Sequence, residues 1–266
     1  VRHTFTIASR EIRSLFVSPV AYVVLTLWSV IAGTFFLASL YGFHEQQFRL
    51  QQLQMLDRLE TLNLNDQLIE PFIGSMWVIV LFLLPAITMG LVASEKANGT
   101  DELLLTSPIT IWDIVLGKFL AGVEFVTLMT AIAGFFPMLL FFYGEPELGK
   151  TLSGMLCLWL VSVTYVAVGV FASSVTRNQL VAFIFTFVLL LILGMMLPFI
   201  VDISLSGSGV PSESPVAEVI RWMATGSHVD RMLQGLIDTS DLAYYVVASA
   251  IFLLLAKTVI ESARWR

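Results

Sequence analysis

Residues 94–110 read SEKANGTDELLLTSPIT, a short polar island between the apolar run 71–93 and the apolar stretch from Ile111 to Phe142. Gly99 and Thr100 suit the end of one helix and the start of another. Thr100 is placed to act as an N-cap, with Asp101 and Glu102 favourably set in the first turn. Leu103, Leu104 and Leu105 then give a helix of about two turns an apolar patch, and Pro108 closes it after Ser107. A connection that only reversed the chain would not need three leucines in water. The segment 98–108 therefore reads as a helix that plugs a groove on a soluble partner.

Outward from this island the chain alternates between charge-free runs and short polar connections. Asp, Glu, Lys and Arg are absent from 14–43, 71–94, 125–144, 151–176, 178–201 and 242–256. A spanning helix needs about 20 mainly apolar residues, and five of these runs supply them. The last is shorter, but Lys257 can snorkel while Thr258, Val259 and Ile260 extend it. The expectation is an all-α integral membrane chain, one transmembrane domain over 1–266, with six spans near 19–40, 71–93, 112–142, 152–176, 180–201 and 242–260. Composition agrees. The mean hydropathy is +0.87 with 57% apolar and 13% charged residues, against about 25% charged in ordinary soluble domains.

Orientation follows from Lys and Arg. With the N-terminus inside, nine basic residues fall on the cytoplasmic side (Arg2, Arg10, Arg13, Lys96, Lys118, Arg177, Lys257, Arg264, Arg266) and five outside. The outer segments carry thirteen of the twenty acidic residues. Both termini are expected in the cytoplasm, and the net charge of −6 reflects the outer face. It gives no reason to expect nucleic acid as a partner. Lys118 and Arg177 read as cytoplasmic anchors.

Before the first span, residues 1–16 place Phe5, Ala8, Ile12, Leu15 and Phe16 on one helical face, with Arg2, Ser9 and Arg13 elsewhere. That is the pattern of a helix lying in the membrane interface; the plainer alternative is a basic flank. The outer segment 44–66 carries leucines at steps of three, suited to packing on its own domain or to an outer partner. Residues 202–241 form the longest connection, with the flexible composition SGSGVPSESP followed by short amphipathic helices. In the second of these, Ser227 and Asp230 match a capping box. The single Cys157 lies in an apolar run, so no intrachain disulfide is expected. No cleavable signal peptide is expected either, since the first apolar run is too long for a signal core.

Chemistry-bearing motifs are sparse. Gly117-Lys118 fails the phosphate-loop pattern, since Trp112 and Phe119 occupy its other positions, so ATP hydrolysis would have to come from another chain. His3, His44 and His228 lie far apart, without ligands at metal-binding spacing. No constellation joins the hydroxyls, histidines and carboxylates, so the chain is not expected to be an enzyme by itself. Glu124 stands alone as an acidic side chain deep within a span, and such a group defaults to a functional hypothesis. It suits a polar bundle contact, a water-lined path or a proton site; burial against Ser, Thr or backbone groups is the preferred reading. Gly117 with Ala121, and Gly169 with Ser173, suit close helix packing without identifying a dimer seam.

The pattern Glu95, Gly99-Thr100, Glu102-Leu103-Leu104-Leu105, Ser107-Pro108 and Gly117-Lys118-Phe119 resembles the cytoplasmic signature of ABC-2 type exporter permeases. The likeness is nearest to the gliding-motility-associated branch and to relatives used in copper-enzyme maturation. The C-terminal runs Gly235-Leu236-Ile237-Asp238 and Asp241-Leu242-Ala243-Tyr244-Tyr245, ending in Arg264-Trp265-Arg266, resemble the same branch. The resemblance implies a type V exporter-like permease in a bacterial inner membrane. It implies an interfacial elbow helix at 1–16, a coupling helix at 98–108, and short outer helices before the last span. It also implies two copies of an ABC ATPase that bind ATP and Mg, a second or homologous permease, and an extracytoplasmic partner in some assemblies. An ATP-independent secondary transporter or channel, and a mechanotransmitting scaffold, are the alternatives in other classes.

Overall fold

The computed structural model describes residues 2–55, 62–100, 109–197 and 222–263. Every regular element among them is helical. Helix α1 (Arg2–Val17) leads through Ser18 into α2 (Pro19–Gln52). Ser18 caps α2 by accepting the Val20 N–H, and Pro19 fits the first helical position, where no N–H is needed. A π-helical turn, Asn65–Ile69, opens α3 (Glu70–Thr88), which is followed by the short α4 (Gly90–Asn98). Then come α5 (Ile111–Tyr143), α6 (Leu148–Val175) and α7 (Gln179–Leu191), the last ending in a π-helical turn, Ile192–Met196. The short helix α8 (Thr225–Leu233) precedes α9 (Thr239–Ala263).

Six of these stretches are long and apolar enough to cross a membrane: α2, the unit Asn65–Asn98, α5, α6, α7 with its π turn, and α9. Their burial is uneven, and that sets the architecture. In the most apolar window of α6, 67% of residues are buried, against 17% in α2. Helix α6 is therefore the central post, and α2 is a peripheral helix with most of its surface uncovered. It continues unbroken past its apolar run to Gln52. Its 34 residues span about 51 Å at 1.5 Å each, well beyond a hydrocarbon core of about 30 Å.

Close approach fixes the packing around α6. A Cβ added at Gly169 would lie 2.2 Å from Thr88 Oγ1, so only glycine lets α6 meet α3 there. On the far side, the buried Trp28 donates its indole N–H to the Met129 carbonyl (2.7 Å), tying α2 to α5. Phe36, Phe72 and Phe136 join α2, α3 and α5 through ring pairs 5.6–6.4 Å apart.

The helical ladder of the second membrane unit is interrupted at Met89, between α3 and α4, although the Met89 backbone itself stays helical (φ −54°, ψ −33°). Ser173 of α6 repairs the break. Its hydroxyl accepts the N–H groups of Val92 (3.0 Å) and Ala93 (2.9 Å), and donates to the Met89 carbonyl (2.9 Å). The small residue read as a packing contact thus carries a hydrogen-bonding task as well.

Helix α1 packs along α5. A Cβ at Gly117 would meet Ile7 Cγ2 at 2.7 Å, and Thr4, Ile7 and Ala8 are buried. Phe5, placed by periodicity on the apolar face, points away and is 60% exposed. An interfacial helix has two apolar surroundings, the protein and the lipid, so its protein-facing stripe need not be its most hydrophobic one.

Candidate functional site: the cytoplasmic-type junction

The polar island of the sequence emerges from α4, and the geometry at its stem is well defined. Gly99 ends α4 in the left-handed conformation (φ 68°). The Thr100 N–H reaches back to the Glu95 carbonyl (3.0 Å), and the Thr100 hydroxyl donates to the same oxygen (3.3 Å). This is a Schellman-type stop. The Thr100 side chain therefore closes the helix before the island; its expected N-cap role concerns residues 101–108, which lie outside the described residues. Glu102, Leu103, Leu104, Leu105, Ser107 and Pro108 fall in that segment.

On the other side of the island, α5 begins with a capping box. The Thr110 hydroxyl accepts the Asp113 N–H (3.2 Å), while Asp113 Oδ2 accepts the Thr110 N–H (3.3 Å) and hydroxyl (2.6 Å). Asp113 Oδ1 also accepts the Thr4 hydroxyl of α1 (2.7 Å). Thr110-x-x-Asp113 carries the spacing of such a box, and this signal was legible in the sequence although our reading did not use it.

Four charges lock the two stems together. Lys118, 1% exposed, places Nζ 2.9 Å from Glu95 Oε2 on α4 and 3.3 Å from Glu11 Oε1 on α1. It also donates to the Leu91 carbonyl. Arg10 Nη2 lies 2.9 Å from Glu11 Oε1 and 3.2 Å from Glu95 Oε1. The Glu11 hydrogen bond holds the Arg10 guanidinium above its ordinary pKa. Two cations and two carboxylates balance, so the buried ammonium is compensated on both sides. Lys96 adds a bond to the Ser174 carbonyl at the end of α6.

Glu95 and Lys118 were legible in sequence; Glu11 and Arg10, which complete the set, were not. Arg177, exposed in the turn between α6 and α7, makes no ion pair with a described residue.

Glu124 corrects an expectation. It is exposed on the surface of α5 and makes no hydrogen bond or ion pair with a described residue. Burial against hydroxyls or backbone within this chain is not its setting. The stripe of α5 that carries it continues through Leu128, Phe135, Met138 and Phe142, all exposed. Helical spacing puts a carboxyl on a face that this subunit does not cover.

At the opposite end of the molecule a second polar cluster seats α8. Asp241 Oδ1 lies 2.6 Å from His228 Nδ1 and accepts from Arg231 as well, and His228 Nε2 donates to the Trp222 carbonyl (2.8 Å). His228 and Asp241 are fully buried. Helix α8 starts at Thr225 without a side-chain cap, and the Ser227 hydroxyl donates to the Ala224 carbonyl. The expected capping box at Ser227 and Asp230 does not form, because the helix begins two residues earlier. Among the described residues no three His, Cys, Asp or Glu side chains gather as a metal-binding set.

Six membrane-length helices around a central post, with a braced polar junction at one end, define a multi-pass membrane protein. Residues 5–263 match the family described as ABC-2 family transporter protein, and the chain belongs to that family. No curated protein matches the chain.

Proposed function

We propose that this chain is the membrane half-subunit of an ATP-driven exporter, in which segment 98–108 docks into a separate ABC ATPase. Two ATPase copies would bind ATP and Mg, and a second copy of this chain, or a similar permease, would complete the membrane portion. The membrane would be a bacterial inner membrane, with both termini on the cytoplasmic side. The nearest branch by motif is the gliding-motility-associated one.

The observation that carries this reading is the bracing of the 101–108 stems. Glu95 on α4, Lys118 on α5 and Glu11 on α1 form one compensated charge set at the base of the island. A helix pushed by a partner there would load three elements together. Ser173, bonded at the α3–α4 break, passes the load to α6. ATP-driven closure of the ATPase pair would thus move spans by rigid contact, with no covalent intermediate in this chain.

A second reading finds support in α2. Its extension to Gln52 offers a rigid stalk beyond the membrane, suited to transmitting motion to an outer partner. Co-expression with a candidate ABC ATPase from the same genome, followed by co-purification and hydrolysis assays in vesicles, separates the readings. An exporter gives a stable complex whose hydrolysis responds to substrate. A transmitting scaffold gives a complex that responds only to the outer partner. An ATP-independent secondary transporter or channel gives no complex.

A further inference from the structure

A cavity of about 340 Å³ lies between α6, the π turn after α7, and α9, roofed by the residues that lead into α8. Tyr165, Leu193, Trp222, Tyr244, Ile251 and Phe252 form much of its wall. Its polar groups are already engaged. The Thr164 hydroxyl donates to the Leu160 carbonyl (3.0 Å) and accepts from Ser249 (3.1 Å). The Tyr165 oxygen accepts the Trp77 indole N–H (3.0 Å). Thr225 and Tyr244 bond each other (2.9 Å), and the Tyr244 hydroxyl donates to the Met223 carbonyl (3.0 Å). A polar ligand would find few groups to bond, and water needs two or more polar partners to be held.

The cavity follows α9 from Tyr244 to Phe252, about 12 Å of helix at 1.5 Å per residue. That is close to the ~15 Å of hydrocarbon in one leaflet of a bilayer. The Trp222 and Tyr244 rings meet edge to face, 5.5 Å apart, at the α8 end, as aromatic side chains do at a membrane interface. Beyond Tyr244 the His228 ring stacks at 4.1 Å, and the half-exposed Arg231 guanidinium lies 2.9 Å from that ring. Asp241 pairs with that guanidinium, so a charge-compensated arginine, half exposed, stands one side chain away from the apolar slot.

We propose that this cavity binds one acyl chain of a phospholipid from the leaflet on the α8 side, with the phosphate near Arg231. The length of the slot and its engaged hydroxyls select a hydrocarbon chain, and the Arg231 N–H groups that Asp241 does not engage are the donors for the phosphate. The proposal is independent of how the chain is energised.

The test is photo-crosslinking in vesicles of phosphatidylcholine and phosphatidylglycerol carrying a trace of phosphatidylglycerol with a diazirine on its acyl chain. Mass spectrometry then maps the adducts. The expected result is severalfold enrichment at Val247 and Ile251 over the comparably exposed Val30 and Leu37 of α2. Filling the slot with Ala248→Phe should abolish the enrichment. Val247→Trp, on an exposed position that cannot disturb the core, should reduce it in a chain that inserts normally. Excess unlabelled phosphatidylglycerol should compete, whereas excess free fatty acid should not. Equal labelling on α2 and α9, enrichment that survives both variants, or full competition by fatty acid would overturn the assignment.

Discussion

Lys118 on α5 and Glu95 on α4 are held 2.9 Å apart across the base of residues 101–108, with the ammonium buried. The pair belongs to a set of four that includes Glu11 and Arg10 of α1. Removing one member of a buried ion pair costs about 3 kcal/mol or more, chiefly because the other charge is left uncompensated. Lys118→Met is therefore expected to lower the thermal midpoint in detergent. Adding Glu95→Gln and Glu11→Gln should recover much of the loss, since no carboxylate then remains stranded. A triple variant no more stable than Lys118→Met would show that the lysine acts through packing alone.

The Ser173 hydroxyl accepts two backbone N–H groups at the break in the second membrane unit. Ser173→Ala takes a bond from both and leaves the Val92 N–H, which precedes the first intrahelical bond of α4, without a partner, at a cost of about 1–3 kcal/mol. Amide exchange measured by mass spectrometry should accelerate at Val92 and Ala93, with little change in α6. Unchanged protection in α4 would mean that the break is held elsewhere.

Glu124 gives a prediction opposite to the one its burial would have carried. A carboxyl without a partner among the described residues loses no contact with them when replaced. Glu124→Leu should leave the thermal midpoint of the isolated permease unchanged or raised, and its effect should surface only in dimer assembly or transport. A clear fall in the midpoint of the isolated chain would place a bonded partner within it.

Sidedness is tested by impermeant maleimide on single cysteines in a Cys157→Ala background. Asn65, in the segment expected outside, is a poor reporter because its side chain is buried and bonded to Glu147 and Thr151. The neighbouring Gln67 is exposed and serves instead. Cysteine at Gln67 should react in intact cells, while cysteines at Asn98 and Ser262 should react only after the membrane is opened. The reverse pattern would invert the chain and remove the coupling assignment.

The spans were legible because lipid imposes a composition that charge-free runs report directly. The polar partnerships were not, since each joins residues far apart in sequence. Lys118 meets Glu11 across 107 positions, and Ser173 reaches the α3–α4 break across about 80. Periodicity put Phe5 and Ala8 on one apolar face, and which part of that face meets protein was not readable: α1 buries Ala8 and leaves Phe5 exposed. His228 was weighed only as a metal ligand, and its pairing with Asp241 depends on how α8 seats against α9. Glu124 was flagged correctly as an unusual residue, but whether this subunit covers it is a property of helix packing.

The central claim is that residues 98–108 seat an ATPase. Replacing Leu103 and Leu105 with Asp removes two apolar contacts of about 2 kcal/mol each, before any cost of burying carboxylates. The direct measurement is detergent pull-down of the candidate ATPase by this double variant, with membrane insertion of the permease checked in parallel. The account predicts normal insertion and a sharp loss of bound ATPase. Undiminished pull-down by a properly inserted variant would contradict it.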